Sequence, residues 1–358
     1  MSLVSPSLKA RQQGAALILA LVVLMMVTLL ATTLKSDFLV TLKRVENQLL
    51  GKQAFAYMAG VEGIAREVLQ TDLTASPDKD HRSEGWLYNT IEYPMEWGAI
   101  AGTLCDLQGR FNLNSLSGSG KGTASFTPGQ EIFIRLLQAL KLEETIDQPQ
   151  AETITNAVSD WVDKDSNTRP EGGAENGYYG DLEVPYKAAN RPFTSVSELR
   201  WVKGITPQIY RALQPYVIAL DGSALLNVNT AEAMVLRAIN DTGVRRPLSE
   251  SEADSLIAQR DGDITAELTQ QNTGYDKLED FASKHPASKL DTSRFTVKSE
   301  YFLLRTDSLF LDREFTLYSV LHRSTGGEIK TIARGQSGFG ECEAGPASNA
   351  DSNANNES

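Results

Sequence analysis

Cysteine and histidine are both scarce in this 358-residue chain, and each scarcity closes off a kind of chemistry. Two cysteines, Cys105 and Cys342, cannot build a disulfide-dense scaffold or a four-thiolate zinc site. Three histidines (His81, His285, His322) are scattered along the sequence and leave little for imidazole catalysis or metal ligation. No G-x-S-x-G or H-E-x-x-H stretch occurs, and Gly122 follows Gly120-Lys121 where a phosphate loop needs Ser or Thr. The paired carboxylates Glu143-Glu144, and Glu314 near Asp312, are ordinary surface features, so no enzyme is expected. Basic residues are also in deficit, 34 against 46 acidic ones, for a net charge of -12. That balance repels phosphate backbones and argues against nucleic acid.

What is present is ordinary globular composition, 41% apolar and 22% charged, enough for two folded units. One segment departs from it. Ala15 to Leu34 carries no charge, and as a helix would reach about 30 Å, the thickness of a bilayer's hydrocarbon core. Lys9 and Arg11 precede the run, which predicts a cytoplasmic N-terminus and a chain that crosses once, over residues 15–37. A cleaved secretory signal is the alternative, but its apolar region is shorter and ends at a small-x-small site. No proline falls between Pro6 and Pro77, and apolar residues keep a 3–4 spacing in two stripes. Phe38, Leu42, Val45 and Leu49 mark one stripe; Met58, Val61, Ala65 and Val68 mark the other. A helix to about Gln70 would be about 80 Å long.

After this helix the period switches to strands and turns up to Leu116, so residues 38–116 read as spine helix plus the first part of a head. Residues 117–129 read as a linker. From 130 to 288 helix patterns dominate: Ile132 to Ile146, Ile154 to Trp161, Val196 to Trp201, Pro207 to Leu220, Thr230 to Ile239, Ser249 to Arg260 and Tyr275 to Ser283. Thr194 or Ser195 before Glu198, Thr206 before Pro207, and Ser249 before Glu252 are helix-start signals. Period two returns over Thr296 to Arg305, Arg313 to Arg323 and Glu328 to Ile332, giving a second part of the head at 289–335. Residues 336–358 are polar and expected to be disordered. Neither β stretch has strands enough to stand alone, so the fold class is α+β: one antiparallel-sheet head interrupted by a large all-helical insertion.

Arg11-Gln12-Gln13-Gly14 directly before the apolar run resembles the leader of type IV pilins and pseudopilins. That resemblance implies a 1–14 leader, cleavage by prepilin peptidase between Gly14 and Ala15, and methylation of Ala15. Most of that family carries Glu at the fifth mature position; here it is Leu19. With QGRFNLNSL (108–116), DWVDKDSNTRPEGGAENGYY (160–179), RPFTSVSELRWVKGIT (191–206) and LLNVNTA (225–231), the chain resembles the general secretion pathway protein K family, the large minor pseudopilins of type II secretion. The resemblance implies an inner-membrane protein with a periplasmic head, partnered by minor pseudopilins I and J at the tip of a pseudopilus of other pseudopilins. On it, Leu19 marks the end of the filament, since the topmost subunit has no neighbour above for a carboxylate to meet.

Asp160, Asp163, Asp165, Asn167 and Glu175 crowd a Gly-rich loop, and oxygen side chains at alternate positions are how a short loop folds around calcium. The spacing is not that of an EF-hand: Thr168 stands where Gly is needed and Ala174 where the bidentate Glu belongs. A structural calcium is expected, as the resemblance also implies; a solvated acidic loop is the alternative. Val202 to Pro207 and Asn227 to Ala231 are similar to helix-hairpin-helix modules, which makes a membrane-anchored periplasmic DNA-uptake receptor the rival function. Thr206 replaces the second hairpin glycine, so no nucleic acid is expected. In an oxidising periplasm Cys105 and Cys342 would join if the fold brings them together.

Overall fold

Residues 15–49 are exposed without exception on a helix, α1, assigned over Leu8–Ala75. The computed structural model describes residues 8–87, 89–95, 98–118, 126–262, 274–311, 313–339 and 342. It divides into two units, residues 1–57 and 58–358. In the first, α1 contains a window of mean hydropathy 2.8 with none of it buried. The polar side chains inside this run turn back on their own helix. The hydroxyls of Thr28, Thr32 and Thr33 donate to the carbonyls of Leu24, Leu29 and Leu30 at 2.8, 2.8 and 2.9 Å. The surface is therefore fit for lipid, where every polar group must be satisfied internally.

The second unit is built on a five-stranded antiparallel sheet in the order β1-β2-β7-β8-β9. β1 (Thr90–Met95) and β2 (Gly98–Asp106) precede the helical block; β7 (Tyr301–Phe310), β8 (Arg313–Arg323) and β9 (Ile329–Gly335) follow it. Alternation sorts their side chains onto two faces. Leu104, Phe302, Leu304 and Leu321 pack with Trp86 and Leu87 against Ala65 and Leu69 of α1. Cys105, Leu303 and Val320 point the other way, onto Leu107, Ile218 and Leu220. α1 is fixed to the sheet by more than apolar area. Glu62, 1% exposed, accepts from Arg334 Nε and Nη2 at 2.7 Å each, from Ser319 Oγ at 2.7 Å and from Thr331 Oγ1 at 3.0 Å.

The helical block contains α2 (Pro128–Ala139), α3 (Gln148–Val162), α4 (Asn176–Gly180), α5 (Pro207–Leu213), α6 (Ala233–Arg237), α7 (Glu250–Asp261) and α8 (Leu278–Lys284). These share one core centred on Phe133, Leu136, Leu137, Val158, Trp161, Leu199, Val235 and Phe281. Three two-sided caps set helix starts: Thr127 with Gln130, Ser195 with Glu198, and Ser249 with Glu252. Two-residue parallel pairs join the block to its surroundings, β3 (Phe111–Asn112) with β4 (Val217–Ile218) and β5 (Leu226–Asn227) with β6 (Phe295–Thr296).

Several boundaries differ from the sequence expectation. The Thr127 cap and Pro128 start α2 inside the expected linker; residues 119–125 of that segment lie outside the described residues. Val196–Trp201 is a 3-10 helix, and the Pro207–Leu220 stretch stops at Leu213 because Pro215 interrupts it, becoming strand at Val217. The Thr230–Ile239 pattern is helical only over Ala233–Arg237. The Thr296–Arg305 strand breaks at 297–300, where the Ser299 N–H turns to Asp80 Oδ2 at 2.7 Å, and continues to Phe310. Part of the expected disordered tail is packed: Phe339 sits against the sheet-face cluster of Tyr318, Ala333 and Cys342. The remainder, apart from 336–338, lies outside the described residues.

Burial alone would raise the Glu62 carboxyl, but the bonds from Arg334, Ser319 and Thr331 outweigh it and hold it below its ordinary 4.5. Its contribution is therefore complete above that value and disappears as pH falls through the lowered one. Glu62→Ala should cost about 2 kcal/mol in denaturant unfolding at pH 7. The loss should shrink below pH 4; a cost independent of pH would contradict the assignment.

Candidate functional site

Two of the segments that carry the resemblance, 108–116 and 225–231, lie at the seam between the sheet and the helical block. Four asparagines and a glutamine do the joining, each using its amide oxygen and its amide nitrogen. Gln108 Oε1 accepts from Tyr301 N at 3.0 Å while Nε2 donates to Leu225 O at 2.8 Å. Asn112 Oδ1 accepts from Leu220 N at 3.1 Å, and Nδ2 donates to Asp221 O at 2.6 Å. Asn114 Oδ1 takes the Phe193 N–H at 2.7 Å and gives Nδ2 to Leu220 O at 2.7 Å and Phe193 O at 3.0 Å. Asn229 pairs both ways with the Tyr275 backbone, at 2.8 and 3.0 Å. Asn227 Nδ2 reaches Ser299 Oγ at 2.8 Å. All are buried, and each amide adds hydrogen bonds beyond those of the two-residue pairs β3–β4 and β5–β6. Beside them, buried Asp106 receives the Thr230 hydroxyl; burial pushes its carboxyl up to about 6.

The acidic loop lies after α3. Asp160, fully buried, faces Arg169 Nε at 3.1 Å, and Asp163 faces its Nη2 at 3.0 Å. Asp165 Oδ1 accepts the Asn167 N–H at 2.8 Å, while its carbonyl takes Asn190 Nδ2 at 2.6 Å. Glu175, 4% exposed, meets the same Asn190 amide at 3.4 Å. Asn190 is thus a member of the group that the sequence reading missed, and it has no local signal, being fifteen residues beyond Glu175. Asn167 supplies a backbone N–H, and its side chain is exposed. Asp163 Oδ1, Glu175 Oε1 and Asn190 Oδ1 are buried with no hydrogen-bond donor. Burial drives the Asp160 carboxyl up to about 6 against the Arg169 backbone and guanidinium, and raises Asp163 and Glu175 too. Gly173 is obligatory: a Cβ there would lie 2.6 Å from Arg169 O and collide with Asp160 Oδ2. Trp161 stacks edge-on with Tyr179 at 5.3 Å beneath the loop.

The hairpin residues are occupied within the fold. Lys203 Nζ donates to the Gly172 and Gly173 carbonyls at 3.2 and 3.4 Å, and Thr206 caps α5. Cys105 and Cys342 are joined in a disulfide with Cα atoms 5.8 Å apart, both sulfurs buried against β2 and β7. Gly14, Ala15 and Leu19 all lie on α1, Leu19 at 69% exposure.

A second acidic group went unforeseen. Asp72 in the last turns of α1, and Asp80 and Glu84 in the segment that follows, bring ligand oxygens within 4.8 Å of one another, an arrangement that could hold a metal ion. Spacings of eight and four residues across a helix end carry no recognisable signal, and the group's counter-charge, Arg323, comes from β8.

Comparisons with known proteins agree over most of the chain. A family profile described as type II secretion system (T2SS), protein K, matches residues 109–222, and a second of that description matches 226–301. Type II secretion system protein K of Pectobacterium carotovorum subsp. carotovorum is 33% identical over 93% of this chain and 98% of its own length. The Pseudomonas aeruginosa protein of that name is also 33% identical, covering 92% and 94%. Among solved structures, a chain of the GspK-GspI-GspJ complex from enterotoxigenic Escherichia coli is similar with a TM-score of 0.68 and 26% identity. That match covers 82% of this chain and 99% of the other.

The seam makes its own prediction. Asn114→Ala removes three buried hydrogen bonds and should cost about 3 kcal/mol in equilibrium unfolding. An unchanged midpoint would mean that the amide is dispensable.

Proposed function

The chain belongs to the type II secretion system protein K family, and from that premise we propose how it works as a minor pseudopilin. It is an assembly protein and not an enzyme. Its single apolar N-terminal helix is the membrane anchor, with the globular remainder outside the cytoplasm. The observation that carries the proposal is the combination of a lipid-facing helix with a sheet head whose helical block is inserted between β2 and β7. By likeness to the GspK-GspI-GspJ complex, the head joins the minor pseudopilins I and J in the periplasm, at the tip of the pseudopilus. Prepilin peptidase cuts between Gly14 and Ala15. Leu19 offers no carboxylate to the terminal amine of a neighbour, so the subunit ends a filament and does not extend one. The full chain co-expressed with the I and J pseudopilins of its own system should come through detergent extraction and affinity purification as one complex. Recovery of the chain alone would overturn the partnership. Leu19→Glu should allow subunits above it and lengthen pseudopili; unchanged length would remove Leu19 from the mechanism.

The acidic loop is the calcium site in this reading. Three buried oxygens without donors, on Asp163, Glu175 and Asn190, with the Asp160 and Asp165 carboxylates beside them, form a hard oxygen set of the kind calcium takes. Bound there, the ion would supply charge that Arg169 alone does not and tie the loop to α3. Its role is structural. Chelation should lower the melting temperature of the wild type by more than that of Asp163→Asn; equal responses would count against the loop.

A further inference from the structure

The Asp72–Asp80–Glu84 group has a charge deficit that the protein does not make good. Three carboxylates converge, and Arg323, 2% exposed, is the cation among them. Its Nη2 is committed to Asp80, at 2.7 Å from Oδ1, and to the Ser299 carbonyl at 2.5 Å. Its Nη1 stays 3.7 Å from Asp72 Oδ2, too far for a hydrogen bond. Asp72 Oδ2 and both oxygens of Glu84 are buried with no donor in hydrogen-bonding geometry, although the Glu84 side chain is only 6% exposed. His81 does not fill the gap: its Nδ1 accepts the Ser83 N–H at 3.3 Å, and its Nε2 stops 3.9 Å from Glu84 Oε1.

A buried carboxylate left without donors either takes a proton or takes a cation. Asp72 Oδ2 and the two Glu84 oxygens, buried and unpaired in a group whose ligand atoms lie within 4.8 Å of one another, favour a shared ion over two protons. The donors are carboxylate oxygens with no thiolate among them, and the nearest imidazole, His81, has its Nδ1 taken by the Ser83 N–H, which favours a hard cation such as calcium over zinc.

We infer that Asp72, Asp80 and Glu84 bind a hard divalent cation, separate from the acidic loop, at the join between α1 and the sheet. Asp72 belongs to α1, Asp80 and Glu84 to the segment leaving it, and Arg323 links Asp80 to β8. The ion therefore clamps the end of α1 to the sheet opposite the Glu62–Arg334 pair. This inference does not rest on the calcium reading of the acidic loop.

The test is calcium titration of the full chain in detergent after chelator stripping, by calorimetry and thermal melting. Four proteins are compared: wild type, Asp163→Asn, Glu84→Gln, and the last two combined. Glu84→Gln should bind one calcium ion fewer than its parent in both backgrounds and lose part of the calcium-dependent rise in melting temperature. Asp72→Asn should do the same. Because Gln has the shape of a protonated Glu, folding is preserved whichever species the wild type holds. Unchanged calcium stoichiometry in Glu84→Gln, with a melting temperature equal to or above that of its parent in calcium and in chelator, would overturn the proposal in favour of a protonated carboxyl. Loss of calcium response through Asp163→Asn alone would overturn it equally, while leaving the acidic loop intact as a site.

Discussion

The folded part depends on one constraint: two strands that are neighbours in the sheet are almost two hundred residues apart in sequence. β2 ends at Asp106 and β7 begins at Tyr301, and the two are paired, Asp106 opposite Phe302. The Leu107 N–H continues the ladder to Tyr301 O at 3.1 Å before the chains part. Because exit and return lie side by side, a whole helical block can be inserted without disturbing the register of either strand. The cost falls on backbone groups at the seam, which lose their ladder partners in a buried place. Gln108, Asn112, Asn114, Asn227 and Asn229 meet that cost with side-chain amides, each donating and accepting.

The sheet thereby becomes a shared wall. One face receives α1, through Ala65, Leu69 and the buried Glu62; the other receives the helical block and the Cys105–Cys342 disulfide. The alternation of Leu303 and Leu304, or Val320 and Leu321, assigns each to its side. The asparagine-rich segments that mark the family are, in this fold, hinges made rigid. They tie a bulky insertion to a small head.

Much of this was legible in the residues. An uncharged run of Leu, Val and Met can only face lipid or a core, and its position named the anchor. Ser195, Thr206 and Ser249 act as caps because a side-chain oxygen a few residues ahead of a free N–H is a local affair; Thr127 does the same inside what the sequence suggested was linker. In the acidic loop Arg169 faces both Asp160 and Asp163, while Asn190 meets Asp165 and Glu175. What stayed hidden is non-local. Arg323 meets Asp80 from 243 residues away, and Asn190 closes on Asp165 from 25. Short elements such as α6, or the two-residue pairs β3–β4 and β5–β6, exist only because a surrounding core holds them, and five residues carry no period to read.

The account stands on the chain being a processed pilin-like subunit and not merely an anchored periplasmic domain. The direct measurement is the intact and N-terminal peptide mass of the protein from its native membranes, with and without prepilin peptidase. The account predicts a chain that begins at N-methylated Ala15 when the peptidase is present and is uncut when it is absent. A chain beginning at Met1 or Ser2 in both strains would contradict it, and the asparagine seam would then belong to an ordinary membrane-tethered protein.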